Sequence, residues 1–283
     1  MVRVTLVFFL FIGFLQADSF EYAQQESKPS LKSKIINLIG EDSYVRDEGF
    51  INILFSPSSA FYKNNRVDTV RVMQILIENK LFHLKLPSKR ELKIYLKTDG
   101  SATLFVKLMK DSLRNLGYYG YKTLSSDYDG KDFIWGISFE TSKIPNIIKI
   151  GEQLSKVGAT IVDIEHIGDN EWRYSIDISH SIVESVKISG DSPLVLKHSL
   201  DPYWIDIRNV KTVNIKSSRR NSWHPHIVFF DADLKLIEVV KEDKRVTSFF
   251  VEIPQEAIYM KIADIYTMKN IRDSLSLYPR VKR

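Results

Sequence analysis

The chain has 283 residues, 44% hydrophobic and 27% charged, ordinary globular values that allow two or three small domains with cores of their own. It contains no cysteine, which excludes a disulfide framework, a thiolate metal centre and lipid anchoring through an acylated cysteine. The formal net charge of +5 would point to nucleic acid in a cytoplasmic protein, whereas for an exported one the matching partners are lipid headgroups, cell-wall polymers or acidic proteins.

Export is what the first residues predict. In MVRVTLVFFLFIGFLQADS, Arg3 supplies a short positive region, Val4 to Leu15 an apolar run, and Leu15 and Ala17 a cleavage site. The run is shorter than the roughly 20 residues that a membrane-spanning helix needs. Residues 1–17 therefore read as a signal peptide cleaved near Ala17, with an uncleaved N-terminal helix as the lesser alternative. No later segment is long enough to span a bilayer. A large exported chain without disulfides fits a Gram-negative periplasm.

Residues 18–30 are polar, contain Pro29 and lack apolar periodicity, so they read as a flexible leader. A small helical or α+β unit is expected over residues 31–87. In SLKSKIINLIG, Ser30 is the N-cap, Ile35, Ile36 and Ile39 share one side, and Gly40 ends the helix. In DTVRVMQILIENK, Asp68 is the cap and Val72, Ile75, Leu76 and Leu81 form an apolar face. Pro87 and the SKR that follows mark a boundary.

The pattern then becomes regular over residues 88–180. ELKIYLKT alternates as a half-buried strand, SATLFVKLMKDSLRNLG is an amphipathic helix ending at Gly117, and Asp129-Gly130 joins two strands in YYGYKTLSSDYDGKDFIWGISFE. A second helix, SKIPNIIKIGEQLSKVG, ends at Gly158, and two more strands meet around Gly168-Asp169-Asn170. An offset of 41 residues lays Leu113–Gly117 on Leu154–Gly158 and one strand of each half on the other. The order β-α-β-β-α-β with an added strand predicts a central ferredoxin-like domain, helices on one sheet face.

From Ile182 the helical period gives way to short strands: VESVKIS, LVLKH, YWIDI, KTVNIKS, HIVFF, KLIEVV, SFFVEI, YMKIADIYT and the closing SLSLYPRVKR. This spacing predicts a C-terminal β-sandwich, jelly-roll-like, over residues 181–283. The hinge between it and the central domain is expected at Ser179 to Ser181. The fold class is thus α+β.

The two β-α-β halves, over about Leu92 to Glu165, resemble SPOR domains, ferredoxin-like periplasmic modules that bind peptidoglycan glycan strands. The resemblance rests on the strand, helix, Leu-Gly and strand order of both halves, and the characteristic glutamine-containing first strand is missing. POTRA and secretin-type modules use related blocks to bind proteins. An architecture of this kind does not by itself assign a function.

Four groups of residues bear on chemistry. His224 and His226 are two apart, and with Asp231 and Asp233 they offer metal-ligand types, but a straight strand carries Asp231 about 15 Å from His226, and the aspartates suit the hairpin DADLK. No metal is therefore expected. Arg219, Arg220 and Trp223 form a basic loop with an indole, able to hold a carboxylate, phosphate or sugar edge. Tyr119, Tyr121 and Trp135, with Arg173, are the platform residues expected on the open face of the central sheet. His180-Ser181 is only adjacency, and there is no G-x-S-x-G, H-E-x-x-H, P-loop or G-x-G-x-x-G.

The function expected is a non-enzymatic periplasmic envelope protein that acts as a binding or scaffolding component through contacts with an envelope protein partner. The alternative is a binding protein for peptidoglycan or another anionic cell-wall polymer, and the third is a hydrolase with a site between domains. No cofactor and no nucleic acid are expected.

Overall fold

In a computed structural model the protein is described over residues 30–282. The predicted signal peptide, residues 18–29 of the leader and the final Arg283 lie outside the described residues. These residues form a mixed α/β structure of five α-helices and four sheets, none of them closed. No helix among them is long and apolar enough to cross a membrane.

Helix α1 (Leu31–Ile39) starts where expected, because the Ser33 amide donates to the Ser30 hydroxyl at 3.1 Å, and it ends at Gly40 with φ +84°. Helix α2 (Glu41–Leu54) follows at once and was not legible in the sequence. It buries only Tyr44 and Ile51 and carries Gly49 in its middle, so it has no apolar stripe to read. A short hairpin, β1 (Tyr62–Lys63) and β2 (Arg66–Val67), leads to α3 (Thr69–Glu78), capped by the Asp68 side chain. Its buried face is Thr69, Val72, Met73 and Leu76, with Ile75 half-buried and Leu81 beyond the helix end.

The central sheet has the order β4-β5-β3-β7-β6. Its strands are β3 (Lys85–Thr98), β4 (Lys122–Tyr128), β5 (Phe133–Lys143), β6 (Thr160–Gly168) and β7 (Glu171–Asp177). The expected boundary at Pro87 falls inside β3, where the pairing with β5 is irregular between Lys85 and Arg90, and an irregular stretch is where a strand tolerates proline. Helix α4 (Ala102–Asn115) connects β3 to β4, and α5 (Ile147–Lys156) connects β5 to β6. Helix α5 begins five residues later than the sequence pattern suggested. Ser142 and Lys143 belong to β5, Pro145 turns the chain, and the Asn146 side chain caps the helix at 3.0 Å from the Ile148 amide.

The strand order differs from the four-strand order of a ferredoxin-like unit. Strand β7 lies parallel to β3, with Lys93 opposite Glu171 and Lys97 opposite Ser175, and it is inserted between β3 and the edge strand β6. Leu92, Ile94 and Leu96 of β3, Trp135 and Ile137 of β5, and Trp172 and Tyr174 of β7 belong to one core with Phe105, Leu108 and Met109 of α4 and Ile150 and Leu154 of α5. Residues of the N-terminal helices, among them Ile35, Leu38, Val72 and Leu76, join the same core. The first small unit is therefore packed onto the central sheet rather than standing apart.

Helix α1 seals the β6 edge. The Asn37 side chain accepts from the His166 amide at 3.0 Å and donates to its carbonyl at 2.9 Å, as a neighbouring strand would. One turn away, the Lys34 ammonium reaches both Asp163 carboxylate oxygens, at 2.8 and 3.0 Å, and the Ile164 carbonyl. An edge that would otherwise invite pairing is thereby closed.

Nine strands follow, one on each predicted run: β8 (Val186–Lys187), β9 (Leu194–Leu196), β10 (Tyr203–Asp206), β11 (Val210–Ser217), β12 (Pro225–Phe230), β13 (Leu236–Lys241), β14 (Ser248–Glu252), β15 (Tyr259–Asp264) and β16 (Leu275–Val281). They make a five-stranded sheet, β13-β12-β15-β10-β8, and a four-stranded one, β14-β11-β16-β9. Ile227, Phe229, Met260 and Ile262 of the first share a core with Val213, Ile215, Val251 and Leu277 of the second.

The predicted hinge is pinned on both sides. The Ile182 amide donates to the Val157 carbonyl at 2.9 Å, and Gly158, with φ +80°, packs directly under the His180 carbonyl. Gly117 at the end of α4 has nearly the same backbone, φ +84°, with nothing within 4 Å of where a Cβ would stand. A side chain at either position meets the left-handed strain of about 1–2 kcal/mol, but only at 158 does a Cβ also overlap a backbone oxygen. Gly158→Ala is therefore expected to lower the melting temperature clearly more than Gly117→Ala. Equal effects of the two substitutions would mean that the link to the C-terminal unit is not held at this point.

Candidate functional site

The expected aromatic platform is not assembled. Trp135 pairs with Leu96, and Arg173 with Tyr95, and neighbouring residues of β3 point to opposite faces. Trp135 accordingly lies in the core on the helix side, with its Nε1 donating to Thr123 Oγ1 at 3.3 Å, while Arg173 lies on the opposite, open face, 3.5 Å from Glu165. Tyr121 is half-buried and packs edge-on to Trp135 and Phe139, with centroids 5.7 and 5.8 Å away. Tyr119 is exposed but sits in the loop after α4, away from the strands. The open face of the central sheet is instead a lattice of internal ion pairs, Lys93–Glu171 at 2.8 Å, Lys97–Asp132 at 2.7 Å and Arg173–Glu165.

A cleft of about 330 Å³ runs between α4, α5 and the C-terminal unit. Two of its three carboxylates are already held, and the third, Glu184, is exposed. Arg208 grips Asp206 at 2.6 Å, and Lys107 and Arg114 bracket Asp111. Burial would raise the Asp206 carboxyl, but hydrogen bonds and charge from Arg208 outweigh it and hold it below the usual range. Such a group stays ionised and is a poor proton donor.

His224 and His226 do not converge either. His224 Nδ1 lies 3.5 Å from Asp264, and its ring meets Tyr266 edge-on. His226 faces Ala263 and Lys241 on β12, where burial first, then Lys261 and Lys241, depress its pKa. No group of three His, Asp or Glu able to hold a metal occurs among the described residues. Asp231 closes the β12–β13 turn, accepting from the Asp233 and Lys235 amides at 3.0 and 2.8 Å.

The third predicted feature grows instead of dissolving. Arg219 and Arg220 lie on the β11–β12 loop, and the fold ties this loop to two others. The Arg245 guanidinium donates to the Arg219 carbonyl at 2.7 Å, and the Val246 amide donates to the Trp223 carbonyl at 3.1 Å, which joins the β13–β14 loop. The Ser222 amide donates to the Asn270 carbonyl at 2.9 Å, and the Asp273 amide donates to the Asn221 side chain at 2.8 Å, which joins the β15–β16 loop. Lys244, Arg245, Lys269 and Arg272 thereby come to the same end of the sheets as Arg219 and Arg220, all six exposed. None of the six takes part in an ion pair among the described residues.

Two buried anchors hold this end rigid. Trp223 is 0% exposed, with its Nε1 donating to the Ala263 carbonyl at 2.9 Å and its ring edge-on to Phe249. The Asp264 carboxylate accepts from the His224, Tyr266 and Thr267 amides and from the Asn270 side chain, all within 3.0 Å. Burial would raise this carboxyl, and the amide hydrogen bonds more than compensate and hold it low. Trp223 is thus the support of the basic loop and no part of its surface. The cations of the other two loops were beyond sequence reasoning, since Arg219 and Arg272 are separated by four strands of chain.

Comparison of the chain with protein-family models, with curated proteins and with solved structures matched nothing.

Proposed function

We propose that this is a non-enzymatic binding or scaffolding protein of the cell envelope, exported to the periplasm, that grips an acidic protein partner with the basic loop end of its C-terminal unit. We further read the central unit as a ferredoxin-like fold widened by one strand, and the two C-terminal sheets as a jelly-roll-like β-sandwich. The observation that carries the function is the convergence of four arginines and two lysines from three hydrogen-bonded loops, all without a counter-charge in ion-pair contact. Arginine forks match carboxylates bidentately, and Arg and Tyr dominate the energetic centres of protein interfaces, here with the exposed Tyr266 at the same end. Rigid loops lose little entropy on binding.

The test is chemical cross-linking in intact cells, followed by affinity measurement with the purified partner. Arg219→Glu combined with Arg245→Glu is expected to weaken the complex by about a hundredfold or more and to flatten its salt dependence. A complex indifferent to this reversal would remove the loop end from the interface.

A further inference from the structure

The outer face of the four-stranded sheet carries a row of side chains that runs across the strands. Phe250 of β14, Asn214 of β11 and Tyr278 of β16 stand directly opposite one another. Phe250 is 59% and Tyr278 40% exposed. With neighbouring strands about 4.8 Å apart, the two rings rise from positions about 10 Å apart, the length of two linked pyranose rings. Between them the Ser248 hydroxyl and Asn214 Oδ1 share a hydrogen bond of 2.9 Å, which leaves the Asn214 amide nitrogen as a donor. The rows on either side are polar, Glu252, Thr212 and Arg280 on one and Ser248, Lys216 and Ser276 on the other.

Positive charge borders this row. The Lys216 ammonium sits 4.7 Å from the centre of the Tyr278 ring. A shallow groove of about 1000 Å³ beside it is lined by Lys211, Lys216, Arg280 and Lys282 against the single carboxylate of Asp191, which is occupied by the Val281 amide at 2.8 Å. Aromatic rings offer flat faces to the C–H faces of sugars, a small polar floor offers donors to hydroxyls, and unpaired cations offer sites for acid groups.

We propose that this face is a second binding surface, distinct from the loop end, for a linear pyranose glycan that carries carboxylates, with Phe250 and Tyr278 stacking on alternate sugar units and Lys216 and Arg280 meeting the acid groups. Charge complementarity selects the acidic glycan, and the ring spacing selects a chain over a single sugar.

The test is calorimetric titration of the whole protein with a β-1,4-linked uronic acid hexamer, a neutral β-1,4-linked N-acetylglucosamine hexamer and polyglutamate of similar charge. The uronic acid hexamer is expected to bind, and Phe250→Ala and Tyr278→Ala to weaken it about tenfold each, the loss of one aromatic anchor. Phe250→Tyr, which keeps a ring, retains affinity and guards against a folding artefact. Lys216→Gln with Arg280→Gln weakens the acidic hexamer more than the neutral one, and the Arg219→Glu, Arg245→Glu variant binds both as the parent does. The proposal is overturned if the uronic acid hexamer does not bind or binds no more tightly than the neutral one, if the aromatic variants leave affinity unchanged, if polyglutamate binds equally well, or if glycan binding is lost in the loop variant. That last result would place the glycan on the loop end itself.

Discussion

Asp163→Ala is expected to destabilise the protein by about 3–5 kcal/mol, because it strands a buried ammonium. Lys34 is 5% exposed at the junction of α1 with the β6 edge, whereas the Asp163 side chain is 35% exposed. The pair is therefore asymmetric. Removing the carboxylate leaves Lys34 with only the Ile164 carbonyl, and it also takes the acceptor from the Thr69 hydroxyl, 3.0 Å away. Removing the ammonium instead, in Lys34→Met, leaves a carboxylate that water reaches and that still accepts from Thr69 and from the Ile164 amide. That loss should stay at about 1–2 kcal/mol. The double variant Lys34→Met, Asp163→Leu should recover most of the stability lost in Asp163→Ala, since an apolar pair of similar volume removes the desolvation penalty altogether. Urea unfolding followed by circular dichroism measures all three. A Lys34→Met variant as unstable as Asp163→Ala would mean that burial of the lysine is not what the pair compensates.

Trp223→Ala is the second large expected effect, a loss of about 3–5 kcal/mol from the core of the C-terminal unit with a collapse of partner binding. The ring is fully buried and touches no partner, so its influence on binding would pass through the loops it supports. Its backbone carbonyl receives the Val246 amide, and its indole nitrogen is bonded to Ala263 next to Asp264, the carboxylate that gathers the β15–β16 loop. Trp223→Phe separates the two roles. It keeps most of the volume and leaves the Ala263 carbonyl without its donor, for a loss of about 1–3 kcal/mol. Partner affinity should then fall far less than in Trp223→Ala when both are measured well below their melting temperatures. If Trp223→Ala binds the partner as tightly as the parent at a temperature where it is folded, the loops do not need this anchor.

Local patterns in the sequence carried a good part of the structure. The caps at Ser30 and Asp68, the glycines that end α4 and α5, the Asp129-Gly130 turn and the nine C-terminal strands all follow from short-range chemistry, in which a few neighbouring residues satisfy or deny backbone hydrogen bonds. Helix α2 escaped because its exposed, glycine-containing sequence has no apolar period, and its place is set by packing against α1.

Only the tertiary structure decided the rest. Whether β6 or β7 lies next to β3 depends on which partner satisfies more of the sheet, and the alternating pattern of both strands permits either. The same pattern could not say that Trp135 and Arg173 would emerge on opposite faces, because that requires the register of three strands. The pairing of Lys34 with Asp163, 129 residues apart, has no local trace. For the candidate surface, the sequence by itself determined that Arg219, Arg220 and Trp223 share a loop. The gathering of four more cations, and the removal of Trp223 into the core, came from strand order, since loops meet at a sheet end only when the strands between them have found their places.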